Sequence, residues 1–250
     1  MSDYVSPSNQ SSAEDENQSL LEELLVSLPA GERLRNLPIA LRQKDLAHIL
    51  FMADIYKQII NVPGYIAEFG VMWGRNINLF HCLRECFEAY NHTRHILGFD
   101  TFTGFVDVSD QDTAPTTAAM RHCIGDYSVP TGHDAVLANI LDTQESISHL
   151  SHIKRSALIK GDVRTTLPSY LNENPHALFA LCYLDLDLFE PTRDVLSAIK
   201  PRLVKGSVLV FDEVLNPDYP GETIALGEVF GDVALRRGPL SGWKTYFVVE

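Results

Sequence analysis

The stretch Tyr183-Leu184-Asp185-Leu186-Asp187-Leu188-Phe189-Glu190-Pro191 decides the fold of this 250-residue chain. The apolar run at residues 177–182 just before it predicts a buried strand. Pro191 favours the first turn of a helix, because proline lacks an N–H that this turn would leave unpaired. Asp185 and Asp187 therefore follow the end of a buried strand, at the edge where open α/β sheets bind ligands.

A second acidic pair, Asp212-Glu213, follows the next predicted strand at residues 207–211. The carboxyl ends of neighbouring parallel strands meet at one edge of a sheet, so we expect the two acidic pairs to lie close together. Carboxylate oxygens are ligands for hard cations such as Mg²⁺, and paired carboxylates also carry out acid–base chemistry. The pattern by itself leaves both alternatives open.

Strand and helix patterns alternate from residue 63 to residue 250, which is typical of a mainly parallel sheet with helices on both faces. No helix pattern separates the last two predicted strands, so we expect them to form an antiparallel hairpin. The seven predicted strands cover residues 65–69, 95–99, 157–160, 177–182, 207–211, 233–236 and 244–249.

The remaining segments predict a tail, a helical extension and a lid. Residues 1–16 are polar and acidic, which is typical of a disordered tail. Apolar residues at helical spacing within 17–62 predict a helical extension. Its leucine-rich segment 20–28 suggests a surface between subunits, so we expect a homo-oligomer, a dimer or larger. Residues 101–133 show little apolar periodicity, and a loop of this length is typical of a functional lid.

Composition and charge narrow the class of protein. Hydrophobic residues make up 45% and charged residues 21% of the chain, as in ordinary globular domains. A formal net charge of −13 without a basic run argues against a nucleic-acid or anionic-membrane partner. The four cysteines form no CxxC pair, and no signal peptide or apolar run of 18 residues is present. We therefore expect a cytoplasmic protein that binds a small molecule.

A glycine-containing turn follows the first predicted strand, in Glu68-Phe69-Gly70-Val71-Met72-Trp73-Gly74. Glycines there allow the backbone to approach a ligand, and the free N–H groups of the next helix can bind it. The spacing matches neither a dinucleotide fingerprint nor a phosphate loop. A tight turn without a ligand is the alternative.

Single acids follow the second and third predicted strands. Asp100, in Gly98-Phe99-Asp100, is well placed to accept hydrogen bonds from ribose hydroxyls, and a turn cap is the alternative. Asp162, in Lys160-Gly161-Asp162-Val163, could accept a hydrogen bond from an adenine amino group, and a helix N-cap is an alternative that does not exclude it.

These three motifs, in this order at three strand ends, resemble class I S-adenosylmethionine-dependent methyltransferases. The chain is similar to the macrocin O-methyltransferase family, whose members methylate sugar hydroxyls in macrolide and aminocoumarin antibiotics and related glycans. The resemblance covers roughly residues 40–250 and implies a Rossmann-like fold with a cofactor-binding domain over 63–250. It is carried by Glu68-Phe69-Gly70-Val71-x-x-Gly74, Gly98-Phe99-Asp100-Thr101-Phe102-x-Gly104-Phe105, the stretch Asp185 to Thr192, and Pro201-Arg202-Leu203-Val204-x-Gly206.

The resemblance also implies individual roles. Glu68, Gly70 and Gly74 would line the amino-acid end of the cofactor. Asp100, next to Thr101, would hold the ribose, and Asp162 would lie near the adenine. We also place Asp185 among the cofactor-binding residues.

For the second half of the chain, the resemblance implies that Asp185, Asp212 and Glu213 bind Mg²⁺ and that Asp187 is the general base. The chain departs from the family in one place, because the usual second pair is Asp-Asp and not Asp-Glu. Glutamate is a competent ligand for a hard cation, but its carboxylate lies one methylene further out.

We therefore predict an S-adenosylmethionine-dependent, Mg²⁺-assisted O-methyltransferase that acts on a hydroxyl of a small glycosylated or polyol natural product. The alternatives are a catechol-type O-methyltransferase and a cofactor-binding protein without methyl transfer. His122 and His133 lie in the predicted lid, where either could contact the acceptor or serve as a different base.

Overall fold

The computed structural model describes residues 12–113 and 122–250 of the chain. The chain divides into two compact units, 1–50 and 51–250. None of the described helices is both long and apolar enough to cross a membrane.

The first unit consists of short helical elements. Helix α1 (Ser12–Ser27) and helix α2 (Ala30–Arg33) precede a 3₁₀ turn (Leu37–Ala40) that packs against α1. Helix α1 begins inside the segment 1–16 that we predicted to be a tail, and the rest of that segment lies outside the described residues.

The second unit is built on one mixed sheet. The strands lie in the order β3-β2-β1-β4-β5-β6, and all neighbours are parallel except the antiparallel pair β5 and β6. The order reverses between β1 and β4, which is the point where doubly wound sheets bind ligands. The described residues contribute six strands: β1 (Tyr65–Phe69), β2 (Ile96–Asp100), β3 (Ser156–Lys160), β4 (Phe179–Leu184), β5 (Leu203–Phe211) and β6 (Thr245–Val248).

Helices cover both faces of this sheet, as predicted. Helix α3 crosses the boundary between the two units, and the other helices connect the strands. Their bounds are α3 (Gln43–Ile59), α4 (Arg75–Phe87), α5 (His133–Ser146), α6 (Val163–Glu173), α7 (Phe189–Ile199) and α8 (Pro220–Phe230).

The alternation of side chains along the strands divides the core into two layers. Ala67 and Phe69 of β1 pack in a buried cluster with α6, α7 and α8. Ile66 belongs to the opposite cluster, with α4, α5 and residues 51–59 of α3. Strands buried on both faces explain why the sequence shows near-continuous apolar runs in place of alternating ones.

The register of the parallel strands sets the position of the site. Phe69, the last residue of β1, lies beside Phe99 of β2 and Leu184 of β4. Leu184 in turn lies beside Phe211, the last residue of β5. The residues that follow these strand ends therefore emerge at a single edge of the sheet.

The predicted count of seven strands was wrong. Segment 233–236, expected to form a hairpin with the last strand, is reduced to a single bridge in which Arg236 and Tyr246 exchange backbone hydrogen bonds of 2.7 and 3.0 Å. Gly238 and Pro239 follow closely, and proline cannot donate to a strand ladder. Pairing therefore stops after one residue.

Candidate active site

A cleft of about 260 Å³ opens at the carboxyl edge of the sheet, next to β1, β2, β4 and β5. Glu68 and Gly74 do not line this cleft. Eight of the ten residues that we predicted to form a site do: Gly70, Asp100, Thr101, Asp162, Asp185, Asp187, Asp212 and Glu213.

Gly70 lies where the ends of β1 and β4 approach most closely. Its φ is +91°, and a Cβ atom there would lie 1.8 Å from the carbonyl oxygen of Asp185. Any other residue at position 70 would push the two strand ends apart. Gly74, with a φ of +85°, begins α4, and a Cβ there would meet Leu137 of α5 at 2.3 Å. Both glycines are thus required for packing, whatever ligand they contact.

Glu68 is fully buried in β1, beneath the glycine turn. Burial raises the pKa of Glu68, and hydrogen bonds from Asn76 and the backbone of Ile77 only partly oppose this. Its Oε2 atom accepts no hydrogen bond from the described residues. A buried acceptor of this kind suits a ligand that brings its own donor, as the amino group of the predicted cofactor would.

The Asp100 carboxylate holds the turn after β1. Its Oδ2 atom accepts hydrogen bonds from the backbone N–H groups of Val71 and Met72, at 2.6 and 2.7 Å. Its Oδ1 atom accepts from Phe102 N at 2.6 Å. This is the turn cap that we gave as the alternative to ribose binding. Thr101 lies beside it and donates to the carbonyl of Gly104 at 2.9 Å.

Asp162 is the N-cap of α6 and accepts a hydrogen bond of 2.9 Å from Arg164 N. The Arg164 side chain also pairs with this carboxylate, with its Nη2 atom 2.7 Å from Oδ2. The hydrogen bonds from Arg164 lower the pKa of Asp162. The carboxylate still lines the cleft and so can contact a ligand as well.

The two acids of the Asp185-Leu186-Asp187 stretch lie at the base of the cleft. Asp187 has a left-handed backbone with a φ of +62°, which aspartate tolerates better than most residues. Burial and the nearby charges of Asp212 and Asp187 raise the pKa of Asp185. Burial and the charges of Glu213 and Asp212 raise the pKa of Asp187. The carboxylates therefore repel one another in the absence of a cation.

Lys244 supplies a positive charge beside these acids. Its Nζ atom lies 2.9 Å from Oδ1 of Asp212, and the hydroxyl of Tyr183 donates to the same oxygen. Glu213 accepts a hydrogen bond from the side-chain amide of Asn216. Sequence reasoning missed Lys244, because it lies directly before β6, far along the chain from the acids that it approaches.

Glu222 joins the two acid-bearing loops. It is fully buried in α8, and its two oxygens accept hydrogen bonds from the backbone N–H groups of Leu186 at 3.3 Å and Glu213 at 3.1 Å. Burial and the charges of Asp187 and Asp212 raise the pKa of Glu222. We call this arrangement the Glu222 clamp. The sequence carried no signal for it beyond a glutamate in the first turn of a helix.

The described part of the predicted lid places aromatic side chains over the cleft. The rings of Phe105 and Tyr127 lie 5.2 Å apart, and the hydroxyls of Tyr127 and Tyr219 are in contact. His122 stacks near Tyr219, with 4.7 Å between ring centroids, and its Nε2 atom lies 2.9 Å from the carbonyl of Asp218. His133 instead begins α5, with its ring against Trp73. Residues 114–121 of the lid lie outside the described part of the chain.

Asp112 fixes this lid to the sheet edge. It is buried, and its Oδ1 atom accepts a hydrogen bond of 2.6 Å from Phe189 N at the start of α7. Its Oδ2 atom accepts from the backbone and side chain of Ser109, at 2.8 and 2.6 Å. Asp112 therefore connects the lid to Phe189, which directly follows the loop at residues 185–188.

The donor chemistry of the cleft suits a divalent cation, since carboxylate oxygens are the ligands that Mg²⁺ and Ca²⁺ prefer. The side-chain positions suit it less well. Within 12–113 and 122–250, no group of three or more His, Cys, Asp or Glu side chains converges in an arrangement that could hold a metal ion. Asp212, which the expected metal site would need as a ligand, forms an ion pair with Lys244.

Comparison with known proteins gives clear relatives. No family model matches the chain. A curated relative from Streptomyces olivaceus, 8-demethyl-8-(2,3-dimethoxy-alpha-L-rhamnosyl)-tetracenomycin-C 4'-O-methyltransferase, is 28% identical over 157 residues, which is 61% of this chain. The match spans 53% of the length of that curated relative.

Two solved structures match almost the whole chain. A crystal structure of CalS11, a calicheamicin methyltransferase, is 43% identical, covers 96% of this chain and 94% of its own, and has a TM-score of 0.90. An apo structure of CalS11, described as a TDP-rhamnose 3'-O-methyltransferase, is 40% identical, covers 96% of both chains and has a TM-score of 0.84. The O-methyltransferase NovP shares the fold, with a TM-score of 0.60 at 18% identity over 81% of this chain and 79% of its own.

Proposed function

Because the chain belongs to the macrocin-like family of sugar O-methyltransferases, we propose that it transfers a methyl group from S-adenosylmethionine to a hydroxyl of a small glycosylated molecule. The observation that carries this proposal is the cleft itself. It places the glycine turn after β1 and the acids after β2, β4 and β5 around one space. A methyl donor and a hydroxyl acceptor can meet there next to Asp187.

The proposed cofactor site uses the first half of the chain. The buried Oε2 atom of Glu68 would accept a hydrogen bond from the amino group of the cofactor, and Asp100 with Thr101 would orient its ribose. Asp162 would lie at the adenine. When bound, S-adenosylmethionine supplies an electrophilic methyl group on a sulfonium that leaves as a neutral thioether.

Asp187 is the proposed general base. A sugar hydroxyl is a weak acid, so the proton has to leave as its oxygen bonds to the methyl carbon. The Asp187 carboxylate lines the cleft and would take this proton, and the Glu222 clamp would hold its loop in place. The lid residues Phe105, Tyr127 and Tyr219 would exclude water and align the hydroxyl with the methyl group.

We also propose that Asp185, Asp212 and Glu213 bind a divalent cation, as the family resemblance implies. This proposal is supported by the oxygen donors, and by the burial and the mutual repulsion that raise the pKa of Asp185. A cation bound there would lower the pKa of a coordinated sugar hydroxyl. Titration of the protein with Mg²⁺ by calorimetry tests this directly, and absence of binding with and without the cofactor would contradict it.

The test of the main proposal has two parts. Calorimetry should detect binding of S-adenosylmethionine to the purified protein. Incubation with the cofactor and a rhamnose-bearing acceptor should give a methylated sugar, detected by mass spectrometry, whereas incubation with a catechol should give no methylated product. Methylation of the catechol alone would favour a catechol-type enzyme, and cofactor binding without turnover on any acceptor would favour a binding protein.

A further inference from the structure

Asp187 lies at the tip of a three-residue turn that follows β4. Across this turn, Leu188 N donates to the carbonyl of Leu186 at 2.7 Å, and the φ of Asp187 is +62°. A residue other than glycine keeps such a left-handed backbone only where the surrounding structure fixes it. The direction of the Asp187 carboxylate therefore depends on the contacts that hold the residues before and after it.

Two buried carboxylates hold this turn, one on each side of Asp187. Glu222 of α8 accepts a hydrogen bond of 3.3 Å from Leu186 N. Asp112 of the lid accepts a hydrogen bond of 2.6 Å from Phe189 N. Both acids are buried, so water does not compete for these backbone groups. The lid therefore supplies the shorter of the two contacts that hold the turn.

Phe189 begins α7, so its backbone N–H has no partner within its own helix. The residue before it, Leu188, has no side-chain oxygen and makes no capping hydrogen bond. Phe189 is buried, and an unpaired N–H at a buried position destabilises the helix start. Asp112 supplies the missing acceptor from the lid, and it caps α7 from a position 77 residues earlier in the chain.

Asp112 is itself held where the lid, α7 and α8 meet. It ends a 3₁₀ turn (Asp110–Asp112), and its Oδ2 atom accepts from the backbone and the hydroxyl of Ser109 at 2.8 and 2.6 Å. A Cβ atom at Gly221, the second residue of α8, would lie 2.4 Å from Oδ1 of Asp112 and 2.5 Å from Phe189 N. Glycine at position 221 thus leaves the room that the hydrogen bond between Asp112 and Phe189 needs.

Asp112 can act on the site without touching a ligand. It is not among the described residues that line the cleft, whereas Asp187 is. Burial raises the pKa of Asp187 most, and the charges of nearby acids, Asp112 among them, add to this. Asp112 is therefore close to Asp187, and its contact with Phe189 reaches Asp187 through the backbone of the turn.

We propose that Asp112 is a positioning residue for methyl transfer. It aligns the base Asp187 by holding the backbone N–H of Phe189, and it does so only when the lid segment 109–112 is seated against α7 and α8. This inference rests on the proposed function and adds a residue to it. It makes the seated lid a condition for alignment of the base, so an acceptor that prevents seating would bind without being methylated.

The test uses two variants that break the same hydrogen bond from opposite sides. Asp112→Ala removes the acceptor, and Gly221→Ala leaves every acid in place but pushes a methyl group between Asp112 and Phe189. Their controls are Asp110→Ala, at an exposed acid of the same turn, and Gly227→Ala, where an added Cβ atom meets nothing within 4 Å. The kcat and KM are measured with methyl α-L-rhamnoside and with TDP-rhamnose, and the Kd for S-adenosylmethionine is measured by calorimetry.

We expect kcat to fall about 10²-fold in both variants, because a displaced base loses its alignment with the reacting hydroxyl. The KM and the Kd for S-adenosylmethionine should stay within about twofold of the unmodified protein, since neither variant changes a residue that lines the cleft. Asp112→Asn keeps an oxygen for Phe189 N and should recover about tenfold of the loss in kcat. The two controls should match the unmodified protein.

A second comparison separates positioning from a general loss of structure. Asp112→Ala is combined with Asp187→Asn, and single-turnover rates are compared with those of Asp187→Asn alone. If Asp112 acts through Asp187, the added substitution lowers the remaining rate by less than about twofold. A loss as large as in the unmodified background would mean that Asp112 supports the fold and not the base, and would overturn the proposal.

Hydrogen exchange tests the contact without any acceptor. In the protein alone, the amide of Phe189 should exchange roughly tenfold faster or more in Asp112→Ala than in Asp110→Ala. Equal exchange rates would show that Asp112 does not hold this N–H, and the proposal would be wrong even if the protein methylates a sugar. If the unmodified protein does not turn over at all, the proposed function fails and the positioning role fails with it, whereas exchange still decides whether the lid caps α7.

Discussion

Asp187 combines a left-handed backbone with a partly buried position among other acids. Asparagine tolerates the same backbone, so Asp187→Asn removes the base without distorting the loop. We expect kcat to fall about 10²- to 10⁴-fold, with the Kd for S-adenosylmethionine unchanged. Single-turnover rates and calorimetry measure the two quantities. Asp194→Asn, at a half-exposed carboxylate on α7, is the control. Unchanged turnover in Asp187→Asn would rule out the base assignment.

Lys244 forms an ion pair with Asp212, so a divalent cation would compete with Lys244 for the Asp212 carboxylate. Lys244→Met removes one positive charge and frees an Asp212 oxygen. We expect Mg²⁺ to bind about tenfold more tightly as a result, measured by calorimetry. The control is Lys205→Met, at an exposed lysine of β5. Weaker or unchanged binding in Lys244→Met would show that Lys244 does not compete with a cation at these acids.

The sequence predicted which acids would lie close together, but it did not predict the side chains that contact them. Asp185 and Asp212 could be placed together because each directly follows a buried strand, and parallel strands end at one edge. Glu222 and Lys244 come from a helix and a loop, where spacing along the chain carries no such constraint. Their contacts depend on tertiary packing, which the sequence pattern alone does not specify.

Helix α8 holds two loops through the Glu222 clamp, which satisfies two backbone N–H groups next to the acids. In Glu222→Gln the amide group turns a donor toward one of these N–H groups. We expect the free energy of unfolding to fall by about 1–3 kcal/mol and kcat to fall with it. Urea denaturation measures the first quantity. Glu228→Gln on the exposed side of the same helix is the control, and equal stability of the two variants would contradict the clamp.

Helices α4 and α5 and strand β3 meet at Glu145 on the opposite side of the sheet from the cleft. Its Oε1 atom accepts from Arg84 at 3.0 Å and from the hydroxyl of Ser156 at 2.7 Å. Burial alone would raise the pKa of Glu145, but His81, Ser156 and Arg84 outweigh this and lower it to about 2. The carboxylate therefore stabilises the fold above its unfolded pKa, and this contribution is lost as pH falls toward about 2.

We expect Glu145→Gln to lower the free energy of unfolding by on the order of 3 kcal/mol at pH 7. The difference from the unmodified protein should shrink as pH falls from about 5 to about 2, because protonation then removes the same charge from both proteins. Urea denaturation at several pH values measures it. A difference that does not depend on pH would mean that Glu145 acts by packing and not by charge.

The strands of the sheet were predictable because apolar runs ended by glycine or acid are strong signals. Two elements differed for local reasons. Helix α7 begins at Phe189, two residues before Pro191, which we expected to open it. The backbone N–H of Phe189 donates a hydrogen bond to Asp112. Segment 233–236 is short, and Pro239, which follows it closely, has no backbone N–H to donate, so its single bridge does not extend into a strand.

Charged side chains lie at both edges of the sheet. The acids face the cleft at the carboxyl edge. Three fully buried arginines, Arg84, Arg94 and Arg155, bind glutamates and backbone carbonyls near the start of the strands. The macrocin-like family and the mainly parallel sheet with helices on both faces were predicted correctly from the chain. The identity of the acceptor could not be predicted, because the lid carries no periodic pattern to interpret.

Large apolar side chains remain exposed in the first unit, among them Leu20, Leu24 and Leu34. Exposed large apolar side chains favour association, so we propose that the chain forms a dimer or larger homo-oligomer. Light scattering after gel filtration should give at least twice the chain mass of 27.9 kDa. Leu20→Glu combined with Leu24→Glu should shift the mass toward one chain, whereas Glu23→Gln should not. A monomer at micromolar concentration would contradict the proposal.

The chain has two tryptophans, one in the proposed cofactor-binding turn and one next to the proposed cation site. Trp73 belongs to the glycine turn after β1, with its ring 5.0 Å from that of His133. Trp243 directly precedes Lys244, which pairs with Asp212. Replacing either one with phenylalanine leaves a single tryptophan, either beside the methyl-donor turn or beside the acids. Stopped-flow emission from the two variants can then establish whether donor or cation arrives first.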